Sequence, residues 1–190
     1  MILNKIELLK DAYEILCVEY DFLSSDFVIQ RNKVIGILGD NFISLGDNKK
    51  SISTIISRFN PDVISIEEFP ENFMDDSITE MIYKKDRTYT ILETTHSSVK
   101  CTKRFLPDKF IFVSKYSDNM YKSLGVDSQV IEYPIDKKYK DVVNSRNRLN
   151  FDPEYKHIVN VGLFTQGKNQ GYAFELARIL KDNKIIFHFV

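Results

Sequence analysis

Cysteine is scarce in this 190-residue chain: only Cys17 and Cys101 occur. They lie far apart and fit no Cys-x-x-Cys pattern, which argues against a disulfide framework and for reduced, structural thiols of an intracellular protein. No Asn-x-Ser/Thr sequon is present, in keeping with a cytoplasmic location. Neither sign of charge is in excess, since 26 Lys plus Arg stand against 27 Asp plus Glu. That leaves no electrostatic pull toward nucleic acid or an anionic membrane and favours a neutral or small-molecule partner. Apolar residues make up 43% of the chain, yet no run reaches the roughly 18 residues of a membrane span. At the N-terminus, Lys5, Glu7, Lys10 and Asp11 interrupt the apolar residues, so no signal-peptide core forms. No Asp-x-Asp pair and no His-x-x-x-His pair occurs; neither a metal nor a cofactor is expected.

What the chain does contain is a recurrence of short apolar runs, rich in β-branched and aromatic residues, with helical patterns between several of them. A parallel α/β sheet has this pattern. Strands are expected at 13–19, 27–30, 33–38, 62–67, 88–93, 109–114 and 129–132, with Leu16, Ile64, Ile91 and Phe112 most buried. Helices are expected at 2–12, 74–84, 116–124 and 49–60; the last has Ile52, Ile55, Ile56 and Phe59 on one face, Asp47 and Asn48 as candidate caps, and Pro61 as its stop. After Pro134 the pattern turns polar and aperiodic, which reads as a linker over 135–155 between a domain at 1–134 and the start of a second at 156–190.

The second region reads as a strand at 157–161, a turn at 162–168, a helix at 169–182 and a strand at 185–190. A β-α-β unit of that size cannot bury both faces of its strands alone. The chain also opens on a helix where a doubly wound domain opens on a strand. Both features suggest a piece of a longer protein, or two copies that complete each other's sheets as an oligomer.

GLFTQGKN, from Gly162 to Asn169, matches the spacing of a phosphate-binding loop, Gly-x4-Gly-Lys, except that Asn169 replaces the final Ser or Thr. Backbone N–H groups at such a strand-to-helix turn, with Lys168 beside them, suit an anion. Without the hydroxyl there is no Mg²⁺ ligand, and only 22 residues follow Lys168, so a nucleotide hydrolase is the weakest candidate. A plain glycine-containing turn with an exposed lysine competes almost evenly with phosphate binding.

Two blocks, FIFVSKYSDNMYKSLGVDSQVIEYPID (110–136) and HIVNVGLFTQGKNQGYAFELARIL (157–180), resemble glycosyltransferases of the family-four type with the GT-B fold. The order of a strand ending in "VS", a helix, a glycine and a strand closing on "PID" is similar to that family's. So is the spacing of Gly162 and Lys168. PDVISIEEF and ILETTHSS extend the resemblance more loosely. It implies a Rossmann-like acceptor-side domain followed by the first β-α-β unit of a nucleotide-sugar domain. It also implies a retaining, metal-independent transferase with a nucleotide-sugar donor and a glycan, lipid or protein acceptor, the 190 residues alone being inactive. Gly162, Thr165 and Lys168 would meet the donor phosphates. Leu163 stands where the family has an arginine, and the family's two-glutamate motif does not occur.

Two candidates fall near the acceptor and the transferred sugar. Thr95-His96 is similar to the family's "TH" context just past a strand, and Glu67 ends the strand over 62–67. Glu68 follows it, but adjacent strand residues project to opposite faces, so at most one of the two faces a site. Phe69 and Pro70 read as the end of a strand, and His157 and His188 as packing residues. The rivals to sugar transfer are a nucleotide-sugar epimerase of the same fold, and a non-catalytic module that binds a glycan or nucleotide or assists assembly.

Overall fold

The computed structural model describes residues 2–21, 30–133, 149–162, 164–181 and 183–190. The chain divides into two compact units, Met1–Pro134 and Ile135–Val190. In the first, α1 (Ile2–Leu9), β1 (Cys17–Glu19), α2 (Arg31–Leu38), β2 (Phe42–Ser44), α3 (Ile52–Phe59) and β3 (Val63–Glu67) come first. They are followed by α4 (Asp76–Ile82), β4 (Thr90–Thr95), β5 (Lys109–Phe112), α5 (Lys115–Tyr121) and β6 (Asp127–Val130). All pairings are parallel: β1 with β2, and a four-stranded sheet in the order β3-β4-β5-β6. Each link in the four-stranded sheet is therefore a crossover rather than a hairpin, and the mixed α/β, Rossmann-like architecture expected from the alternation of elements is present.

Registered partners share a face of a parallel sheet and neighbours along a strand do not. Ile64 registers with Ile91 and Glu93 with Phe110, so these residues face one way with Ile66 and Phe112. That face holds the main core, where Ile66, Ile78, Ile82, Tyr89 and Ile91 pack with Leu45 and Ile52. Phe69, Phe110, Phe112 and Tyr121 form an aromatic continuation of it. On the opposite face lie Cys17 and Phe42, which register with each other and pack with Leu3, Ile6 and Val34 of α1 and α2. Helices thus cover both sides.

Local signals explain the helix ends. Ser114 Oγ accepts the Ser117 N–H at 3.2 Å at the start of α5, and Gly125, at φ +69°, terminates the turn that follows it. Asn60 takes a left-handed conformation after α3, just before Pro61. The turn before α3 is closed by the Asn48 carbonyl, which accepts from Ser51 N–H and Oγ, and not by a side-chain cap from Asp47 or Asn48.

One expected strand is wrong. Residues 33–38 belong to α2, because Val34, Ile37 and Leu38 recur at helical spacing and pack as one face on α1. The strand that follows is β2, whose three residues had no signal of their own. The expected strand at 27–30 lies largely outside the described residues, as does most of the linker at 135–155. Phe69 and Pro70 are core, 1% exposed in the case of Phe69, and not merely a strand end.

The second unit pairs β7 (Lys156–Asn160) in parallel with β8 (Ile185–Phe189), joined through α6 (Gln170–Ile179). Phe174 stacks on Phe189 at 4.3 Å between ring centroids, and Phe151 stacks on both His157 and His188. Ile158 and Val159 project to opposite faces and both remain exposed. Among the described residues no helix is long and apolar enough to cross a membrane.

Candidate functional site

In an open parallel sheet the carboxyl ends of the strands leave a crevice in which ligands bind, because the chain departs from that edge in opposite directions. At that edge of the first unit lies a pocket of about 660 Å³ whose polar lining comes from Glu19, Gln30, Arg31, Glu67, His96 and Tyr133. Glu67 is the last residue of β3, and His96 directly follows β4, whose end is two residues later than the sequence pattern suggests. A smaller pocket of about 290 Å³ sits at the opposite edge, beside Asn60, Pro61, Thr88 and Tyr89. Its lining includes the exposed ion pair Lys84–Asp86, at 3.9 Å.

His96 and Glu67, far apart in sequence, are brought together: Nε2 of His96 lies 3.4 Å from Oε2 of Glu67. This is ion-pair distance without hydrogen-bond alignment, and Oε2 has no aligned donor among the described residues. The other oxygen, Oε1, accepts from Lys5 Nζ at 2.6 Å and Ser65 Oγ at 3.2 Å. Burial alone would raise the Glu67 pKa, but His96 and Lys5 outweigh it and hold the carboxyl below its ordinary value. Glu67 is therefore an ionised orienting group at neutral pH. The Nδ1 of His96 meets the Tyr133 hydroxyl at 2.8 Å, and the two rings stack.

Glu68 does turn away from its neighbour. At φ +83°, a rare conformation for a residue with a side chain, it aims its carboxylate at the end of β4. There it accepts from Thr95 Oγ1 at 2.6 Å and from the His96 N–H at 3.3 Å. Its work is to fix the loop that carries His96. Across the pocket, Arg31 binds Glu19 through Nε and a terminal nitrogen, and Ser44 Oγ donates to the second Glu19 oxygen at 2.8 Å.

Lys5, Glu19, Arg31 and Tyr133 were not legible as site residues. Lys5 reads as a charge that breaks an apolar N-terminus, and 62 positions separate it from Glu67. Arg31 is hidden by the misread strand at 33–38, since only a helix starting there turns it toward β1.

A second charged cluster occupies the opposite face of the sheet. Lys103 Nζ contacts Glu71 at 2.6 Å and Glu93 at 2.7 Å, all three side chains at most 4% exposed, and it sits over the Phe69 ring. The Tyr83 hydroxyl donates to Glu93 as well. Burial pushes the Glu93 carboxyl up to about 7 against the pull of Lys103, while Glu71, which also accepts from the N–H groups of Arg104 and Phe105, is lowered. The Lys103 side chain is fully buried.

In the second unit Gly162, Thr165 and Lys168 come from one short turn between β7 and α6. The Lys168 N–H donates to the Thr165 carbonyl at 3.0 Å, and the Lys168 stem lies 3.8 Å from where a Cβ on Gly162 would stand. Gly162 has φ +150°, which disfavours any other residue. Leu163 lies outside the described residues. His157 and His188 bond each other at 2.8 Å, which accounts for them as a packed pair.

No protein-family model matches the chain, and no curated protein matches it.

Proposed function

We propose that this chain is part of a GT-B-type glycosyltransferase, retaining and metal-independent, which moves a sugar from a nucleotide donor to a hydroxyl of a glycan, lipid or protein in the cytoplasm. The observation that carries this reading is the convergence of His96 and Glu67 in a pocket of about 660 Å³ at the carboxyl edge of a parallel sheet. The charges of that pocket are paired internally, Lys5 with Glu67 and Arg31 with Glu19. A ligand entering it meets an apolar wall of Ile2, Leu3, Val18, Val34 and Phe42 beside a few polar groups and little net charge, which suits a neutral molecule with both hydroxyls and an apolar face, such as a sugar. Separately, the turn holding Gly162, Thr165 and Lys168 places one cation, Lys168, beside a glycine bend, which supports a diphosphate site through the lysine charge while the N–H groups of Gly162 and Lys168 stay bonded to Val190 and Thr165.

The test has two parts. Incubation of the full-length protein with a panel of nucleotide sugars should release nucleoside diphosphate from one donor preferentially. Calorimetric titration with UDP, GDP and ADP should show one that binds, with Lys168→Ala weakening it about tenfold, as loss of one charge-assisted contact would. Absence of both binding and turnover sinks the proposal. Binding without turnover favours a non-catalytic module instead, a reading motivated by Leu163 standing at the position where the resemblance calls for arginine. A product differing from the donor only in the configuration of its sugar would identify an epimerase.

A further inference from the structure

We propose that Tyr133 presents the reactive oxygen of the first unit's pocket to a ligand hydroxyl, with His96 behind it as the group that finally receives the proton. This rests on the reading of that pocket as the place where an acceptor hydroxyl is engaged.

The inference follows from the two ring nitrogens of His96. A carboxylate only accepts, so the nitrogen that faces Glu67 Oε2 at 3.4 Å, Nε2, is the one that carries hydrogen. In the neutral ring Nδ1 is then a bare acceptor, and the Tyr133 hydroxyl, 2.8 Å away, donates to it. Nδ1 of His96 is thus occupied, and a ligand cannot reach it without displacing Tyr133, while Nε2 faces Glu67 at ion-pair distance. The Tyr133 oxygen has no other partner among the described residues and keeps lone pairs free. Tyr133 is itself exposed to the pocket, at 49%. The ring stack at 5.8 Å holds the two side chains in register.

The step balances as follows. The ligand O–H gives its proton to the Tyr133 oxygen while the Tyr133 proton passes to His96 Nδ1. The electron pair left on the ligand oxygen forms the new bond to the anomeric carbon of the nucleotide sugar on the face from which the diphosphate departs, so that the configuration is retained. The bond from that carbon to the diphosphate oxygen breaks, and its pair leaves with the nucleoside diphosphate. His96 ends as an imidazolium facing the Glu67 carboxylate and returns its proton to water. The charged and titratable groups around it are Glu67 and Glu68 from the end of β3, Lys5 from α1, and Glu19 and Arg31 from β1 and α2. Lys5 stays with Glu67 Oε1, which leaves Oε2 for the imidazolium.

The experiment needs one conservative variant, Tyr133→Phe, and two readouts. Long-range ¹⁵N–¹H correlation of the His96 ring, without any ligand, should show the Nε2–H tautomer in the parent. In Tyr133→Phe the Nδ1 resonance should move toward that of an unbonded nitrogen while the backbone spectrum stays unchanged. With the donor identified by the nucleotide-sugar panel, Tyr133→Phe should lower kcat about 100-fold at nearly constant KM. A curved dependence of rate on solvent deuterium fraction, the mark of two protons in flight, should become linear. An Nδ1–H tautomer in the parent, or a variant with unchanged kcat, overturns the proposal. If the ring readout comes out as expected but no nucleotide sugar is turned over, the sugar-transfer reading fails and the Tyr133–His96–Glu67 arrangement is upheld.

Discussion

Two clusters built from the same residue types lie on opposite faces of one sheet and differ in almost every physical respect. Lys103, Glu71 and Glu93 are at most 4% exposed and bond one another. Lys5, Glu67 and His96 are 34%, 18% and 30% exposed, and Glu67 keeps one oxygen without an aligned donor. Burial makes the first set a clamp: its charges are costly to remove from water, each depends on the others, and no ligand can reach them. Partial exposure makes the second set a site. Its Coulomb energy is screened, so it stabilises little, but its unfinished hydrogen bonding is available to something else. Residue type alone does not separate a staple from a site; exposure and completeness of pairing do.

The largest expected effect breaks the clamp. Lys103→Met leaves two carboxyls buried without their cation, and by analogy with other broken buried pairs should cost about 3–5 kcal/mol, read as a lower midpoint in urea unfolding with an unchanged slope. Next comes pH. The folded Glu93 carboxyl sits at about 7 against an ordinary 4.5, so the native state holds a proton that the unfolded chain has lost. Its contribution to stability is fully present below about 4.5 and is lost as pH rises toward 7. Glu93→Gln should flatten the fall in stability across that window. Glu71, lowered in the folded state, works in the opposite direction, its stabilisation disappearing as acid is added below 4.5.

At the open cluster the same manipulations should do far less to stability. Lys5→Met should cost under about 1 kcal/mol at neutral pH, as partly exposed pairs do. Because Glu67 is depressed below 4.5, the difference between parent and Lys5→Met should vanish as pH falls through the folded Glu67 value. Smallest of all is the effect of His96→Ala on the unfolding midpoint, within about 0.5 kcal/mol, although the same variant should reduce turnover by about 100-fold. A large stability loss in His96→Ala, or none in Lys103→Met, would erase the distinction between clamp and site.

Much of the architecture was legible beforehand. β3, β5, β7 and β8, and α3 to α6, fall within a few residues of where the apolar periodicity puts them. His96 and Glu67 were singled out because each stands at the end of a strand. The failures have specific causes. Residues 33–38 are β-branched and aliphatic enough to look like a strand, yet Val34, Ile37 and Leu38 form the seam that α2 lays on α1. The helix became visible only when its partner helix was known. β2 is three residues long, shorter than any window in which alternation can be detected. Tyr133 lies beyond the end of β6 in a sequence context, EYPID, that speaks for a strand end and for nothing chemical.

The sequence by itself determined the parallel α/β class, the placement of most elements, and which residues end strands, because apolar spacing and turn residues act within a few positions of the chain. Only the tertiary structure decided which charges meet. Lys5 reaches Glu67 across 62 residues, and Lys103 bridges Glu71 and Glu93 from a loop. Ion pairs and hydrogen bonds act over about 3 Å, and a sequence carries no record of that distance until the sheet has closed it. Tertiary structure decided exposure as well: it shut water out of the clamp and left the site beside His96 open.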